Sequence, residues 1–274
     1  MKYVLFFILA FILGCKQPER KVEHKSVISK SDSLEAIRKA KRAASEKQWY
    51  QDSLKDESIV SDVISYIKTR KLTKINTELK IWKDTTVSAH LHMGNLFSSG
   101  IKHIVIRSHV GWKIIIYVYR LDNFKRELRD DWSDLTYMGD FIKDINGDGV
   151  NDFVINWYPS SGCCARNNYH VYLYKANDTF TPYFDFINPS FFPGQKIVRG
   201  VDYGHPGEVP LYKYRWDGVR LDTIEYIYPA DTVKKKFYRV KRYGDEDDPQ
   251  KRETLKAVPK EYIKLDAYDW FIDY

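Results

Sequence analysis

The sequence predicts a mainly β protein, an antiparallel β-sandwich or a partial propeller-like set of repeated hairpins, preceded by an N-terminal helical tether. Three observations carry this expectation. Apolar and aromatic residues gather in strand-length runs from about residue 77 onward, aromatic content reaches 15% with 21 Tyr, and one stretch of the chain can be laid over another. Aromatic and β-branched side chains fit the pleated, half-buried surface of a sheet.

The chain opens Met1-Lys2-Tyr3, runs apolar from Val4 to Leu13 and turns polar directly after Gly14-Cys15. A positive start, a short apolar core and a small residue before the cut make an export signal over residues 1–14. The run is shorter than the roughly 20 residues a membrane-spanning helix needs, so removal of the signal is expected. Ile12-Leu13-Gly14-Cys15 resembles the lipobox of bacterial lipoproteins. That resemblance implies an acylated Cys15 at the new N-terminus, a stable membrane anchor and a place in the cell envelope. Lys16 stands where enterobacterial lipoproteins kept at the inner membrane carry Asp, so the resemblance favours the outer membrane.

Residues 15–56 are expected to form the lipidated N-terminus, a basic linker and an exposed helix. Lys16 to Ser33 is polar without periodicity, while residues 34–55 have helix-forming composition but a thin apolar stripe. The formal net charge is +7, and residues 16–55 hold eleven Lys or Arg against six Asp or Glu, so the excess is concentrated beside the anchor. That placement suits a solvated tether facing anionic headgroups and argues against nucleic acid as a partner.

Residues 57–274 are expected to be one β-rich domain. Ile59, Val60, Val63, Ile64 and Ile67 recur at spacings of three and four, the mark of a helix with one buried face at the start of the domain. Strands are expected at 79–82, 87–92, 103–107, 114–119, 152–157, 169–174, 211–216 and 224–228. The internal repeat lays Asn95 on Asp144, Gly100 on Gly149 and Ile106 on Ile155 without a gap; Tyr117-Val118-Tyr119, Tyr172-Leu173-Tyr174 and Tyr212-Lys213-Tyr214 then echo one another.

Asp144-Ile145-Asn146-Gly147-Asp148-Gly149-Val150-Asn151-Asp152 places side-chain oxygens at positions 1, 3, 5 and 9 and a glycine at 6. Calcium takes six to eight hard oxygen ligands, and alternate residues of a tight loop converge on one point, with the Val150 carbonyl as a further ligand. The expected metal ligands are Asp144, Asn146, Asp148, Val150 and Asp152, holding one structural Ca2+. Position 12 is Ile155 and the exit is strand-like, so an EF-hand is not expected. The stretch instead resembles the calcium loops of FG-GAP and VCBS repeats of extracellular β-proteins. Together with Ser160-Ser161-Gly162, the run Tyr169 to Tyr174 and Phe180, it also loosely resembles calcium-loop exported proteins related to periplasmic lysozyme inhibitors. FG-GAP propellers need several full blades, whereas this chain has one intact loop; Asn95, Phe97, Ser99 and His103 replace the ligands of the other copy.

Three further groups bear chemistry. Cys163 and Cys164 are adjacent; a vicinal disulfide stiffening a loop, two free thiols and a bond to another chain all fit, the first being favoured. His90, His92, His103 and His109 suggest zinc, although no Cys or carboxylate completes the set. Tyr203-Gly204-His205-Pro206-Gly207-Glu208 holds an imidazole and a carboxylate suited to acid/base work, with Arg199 and Asp202 nearby, and reads equally as a turn. The expected function is non-enzymatic: a calcium-stabilised envelope lipoprotein that binds a protein or glycan partner, an inhibitor of a cell-wall hydrolase being its most specific form. The alternatives are an envelope-polymer hydrolase using His205 and Glu208, and a structural component of an envelope complex.

Overall fold

The computed structural model describes residues 30–132, 135–159, 167–231 and 236–272. Cys15, Cys163 and Cys164 lie outside the described residues. The chain divides into two compact units, one up to Gln48 and one from Trp49, the second starting ahead of the boundary expected at residue 57.

A single helix, α1 (Lys30–Arg70), replaces the separate linker end and two helical segments expected from the sequence. Its Ala, Lys, Arg and Glu content has high helix propensity, and residues 33–51 are exposed. From Asp56 onward one face is buried through Ile59, Val60, Val63 and Ile67, each aliphatic side chain contributing about 2 kcal/mol. The helix ends in a Schellman arrangement: the Leu72 N–H donates to the Ile67 carbonyl at 3.1 Å and the Lys71 N–H to the Lys68 carbonyl at 3.2 Å. Lys71 adopts the left-handed conformation, φ 52°, that such a stop requires. No described helix is long and apolar enough to cross a membrane.

The rest is mainly β, in three antiparallel sheets that follow one another along the chain. The first holds β1 (Ile75–Trp82), β2 (Val87–Gly94), β3 (His103–Val110), β4 (Lys113–Arg120) and β5 (Arg126–Asp130). The second holds β6 (Leu135–Lys143), β7 (Asp152–Pro159), β8 (Asn168–Tyr172) and β9 (Phe184–Ile187). The third holds β10 (Pro189–Phe192), β11 (Ile197–Val201), β12 (Leu211–Asp217), β13 (Arg220–Asp231), β14 (Lys236–Val240) and β15 (Glu253–Leu255). Each strand pairs with its neighbour in sequence, so every sheet is a meander of hairpins.

Alternation of side chains across a strand turns these meanders into a stack. On β4, Ile115, Tyr117 and Tyr119 pack against α1, whereas Ile116 and Val118 pack against Phe153, Ile155 and Trp157 of β7. The intervening Val154 faces the opposite way, with Val171 and Phe186, onto Tyr212, Trp216 and Tyr226 of the third sheet. The far face of that sheet, with Leu211, Ile227 and Phe237, is covered by Tyr262, Leu265 and Phe271 of the C-terminal segment, which ends in α2 (Tyr268–Ile272). The architecture is a sandwich extended by a third sheet, with a helix over one outer face and the chain end over the other. Strands buried on both faces read as continuous apolar runs, hence Ile114-Ile115-Ile116 and Phe153-Val154-Ile155.

Candidate functional site

The Asp144–Asp152 segment connects β6 to β7, and its own side chains close it. Asp144 accepts the Gly147 N–H at 2.7 Å on one oxygen and the Gly149 N–H at 2.9 Å on the other. The Asn146 side-chain oxygen Oδ1 takes the Asp148 N–H at 3.2 Å, and the Asp148 carboxylate takes the Val150 N–H at 2.8 Å. These are successive Asx turns, the backbone reason for Asp and Asn at alternate positions. Gly147 and Gly149 supply the positive φ values, 76° and 86°, that the winding demands.

Asp152 closes the loop from inside the protein. It is fully buried, and its two oxygens accept the Ile145 and Tyr174 N–H groups, each at 2.9 Å. Burial, reinforced by the charges of Asp148 and Asp144, outweighs those two hydrogen bonds and pushes the Asp152 carboxyl up to about 7.

The loop also reaches the outer sheets. The Asn146 amide donates to the Gly218 carbonyl at 3.2 Å, in the turn between β12 and β13. Gly147 lies against the Pro193 carbonyl, next to β10. On the other side the Asn151 amide donates to the Leu96 carbonyl at 3.1 Å, between β2 and β3. One turn of the middle sheet is therefore tied to both sheets that flank it.

The donor chemistry of the loop fits a hard, oxygen-liganded cation: two Asp and one Asn whose oxygens each accept a single N–H and keep a second lone pair, with the Val150 carbonyl beside them. Asp152 accepts one amide N–H on each oxygen in the same way, but it is fully buried, whereas Asp144 is half-buried and Asp148 exposed. Among the described residues no group of three or more His, Cys, Asp or Glu side chains is gathered as a metal cluster. Asn95, which the repeat lays on Asp144, serves its turn in the opposite sense: its amide donates to the Ser98 and Ser99 carbonyls, at 3.3 and 2.7 Å.

The histidines separate. The His90 and His109 rings lie 4.8 Å apart, but His103 is buried elsewhere, edge-on to Phe97 and Tyr174. Burial, with help from Arg120, lowers the His103 pKa. His205 and Glu208 are both exposed in the turn between β11 and β12, where the Glu208 N–H donates to the His205 carbonyl at 3.2 Å. The turn is held down by Trp270, whose indole N–H donates to the Gly204 carbonyl at 2.9 Å. Arg199 points away, donating to Gln195 at 2.9 Å and to Glu261 at 3.4 Å.

One constellation escaped the sequence. His170 on β8 and Asp130 on β5, both almost fully buried, meet across the first two sheets at 2.6 Å, and the Tyr172 hydroxyl donates to the same carboxylate oxygen at 2.8 Å. Trp132 and Tyr183 stack on the His170 ring, with centroids at 4.4 and 4.0 Å. The alternation of His170 with Tyr172 was visible; their acidic partner, 40 residues away from His170, lies in the charged run of β5 and gave no sign.

Scanned against protein-family models the chain matches none, and no curated protein matches it.

Proposed function

We propose that this chain is a non-enzymatic, calcium-stabilised lipoprotein of the cell envelope, anchored at the outer membrane through acylated Cys15, whose β stack binds a protein or glycan partner. The observation that carries the reading is the reach of the Asp144–Asp152 loop, whose side chains bond to turns of the first and third sheets. A cation held by Asp144, Asn146, Asp148, Asp152 and the Val150 carbonyl would neutralise the carboxylates of the loop and tighten all three layers together. The position of the loop between β6 and β7 supports its likeness to FG-GAP and VCBS loops. The binding role rests on exposed aromatic side chains: Trp112 is 76% exposed and Trp82 61%. Trp is enriched at protein interfaces, where its large apolar face and indole N–H both find partners. Inhibition of a cell-wall hydrolase is one form this binding could take.

Calcium titration by calorimetry, paired with thermal unfolding, tests the reading. Calcium at about 100 times its dissociation constant adds about 2.7 kcal/mol, a rise in melting temperature of about 5–10 °C for a domain of this size. Asp148→Asn keeps the acceptor for the Val150 N–H but removes a charge, and should lose most of the rise. Absence of binding in the unmodified chain would reduce the loop to a turn.

A further inference from the structure

Where α1 ends, its last turn, the β2–β3 loop and the β4–β5 loop enclose an open groove of about 530 Å³. Its apolar lining comes from Ile67, Leu72, Ile101, Leu121 and Phe124. Lys68, Lys71 and Lys102 stand at its rim. None of the three has an acidic partner among the described residues. Asp122, the carboxylate that also lines the groove, is engaged by Arg120 through two hydrogen bonds, at 3.3 and 2.9 Å. Lys68 lies over the Phe124 ring, 4.6 Å from its centroid, so one side chain belongs to both the charged rim and the apolar lining. The volume lies within the range of small-molecule sites, which are mostly apolar with a few polar groups that fix orientation.

An apolar trough with three unmatched ammonium groups along its edge complements a ligand with a hydrocarbon tail and one anionic head. We propose that this groove binds a free long-chain carboxylate, its tail against Ile101, Leu121 and Phe124 and its head among Lys68, Lys71 and Lys102. The basic residues at the end of α1 also favour the helix itself by facing its negative pole, so the test must separate binding from helix stability. Lys71 makes that separation possible: glycine relieves its left-handed backbone while removing one rim charge.

The experiment is calorimetric titration of the full chain with monomeric dodecanoate, with dodecyltrimethylammonium as the cationic counterpart and vesicles of phosphatidylglycerol as the bilayer source of anionic headgroups. Dodecanoate should bind and the cation should not. Reversing two rim charges, Lys68→Glu with Lys102→Glu, should weaken binding about ten-fold, the sum of two exposed charge contacts. Lys71→Gly should weaken it about three-fold while raising the melting temperature. Equal binding of both detergents, unchanged affinity in the charge variants, or preference for vesicles over the free carboxylate would each overturn the proposal.

Discussion

The Arg107 guanidinium grips the Asp140 carboxylate with two hydrogen bonds, at 2.5 and 2.6 Å, joining β3 of the first sheet to β6 of the second. The Tyr137 hydroxyl donates to the same carboxylate at 2.5 Å. Asp140 is almost completely withdrawn from water, its side chain only 2% exposed. Removing Arg107 leaves the Asp140 carboxylate buried without its cationic partner. Arg107→Met is expected to cost about 3 kcal/mol, and the double variant Arg107→Met, Asp140→Leu to recover much of that loss. Urea unfolding of the two single variants and the double variant gives the coupling.

Gly147 and Gly149 share a positive φ but not a surrounding. A β-carbon at Gly147 would collide with the Pro193 carbonyl, whereas at Gly149 nothing lies within 4 Å. Gly149→Ala therefore meets backbone strain alone, about 1 kcal/mol. Gly147→Ala meets the strain and the collision, about 3 kcal/mol in total, because it wedges the second sheet from the third. Equal losses in denaturant unfolding would show that the contact between loop and third sheet is not tight.

Lys71→Gly should stabilise the protein by about 1 kcal/mol. The Schellman stop needs a left-handed residue after the last helical turn, and glycine adopts it without the β-carbon penalty. Thermal unfolding with the helical signal as readout checks it, and no gain would mean the cap is not formed in solution.

Asp56 is a buried acid that fastens α1 to the first sheet by accepting the Tyr117 hydroxyl. Burial raises its pKa above the ordinary 3.8, although the Ser108 and Tyr117 hydroxyls and the Arg129 charge pull it back. A carboxyl raised in the folded state holds its proton more tightly there than in the unfolded chain. The charged form therefore costs stability at pH above the folded value, and that cost is relieved as pH falls through the folded value towards 3.8. The neutral Asp56→Asn should match the hydrogen-bonding shape without titrating. Unfolding of both proteins between about pH 4 and 7 should show the unmodified chain gaining stability relative to the variant as pH falls.

Local chemistry was enough to determine much of this protein. Each of the eight strands expected from apolar runs is present, because Ile114 to Tyr119 or Asp152 to Trp157 carries the aromatic and β-branched residues a sheet requires. The turn at Asp144–Asp152 was equally legible, since Asx hydrogen bonds and positive-φ glycines act within a few residues. The short or charged strands were not: β5 reads Arg-Glu-Leu-Arg-Asp, and its single buried apolar residue, Leu128, takes its meaning from the sheet it completes. Which face of each doubly buried strand meets which neighbour was also invisible, because an uninterrupted apolar run has no period to reveal direction. Asp130 with His170, Arg107 with Asp140 and Asn146 with the Gly218 carbonyl are pairings between distant parts of the chain. Only the stacking of three sheets decided them, because buried polar groups are satisfied by whatever the packing brings within reach, and sequence spacing does not encode that distance.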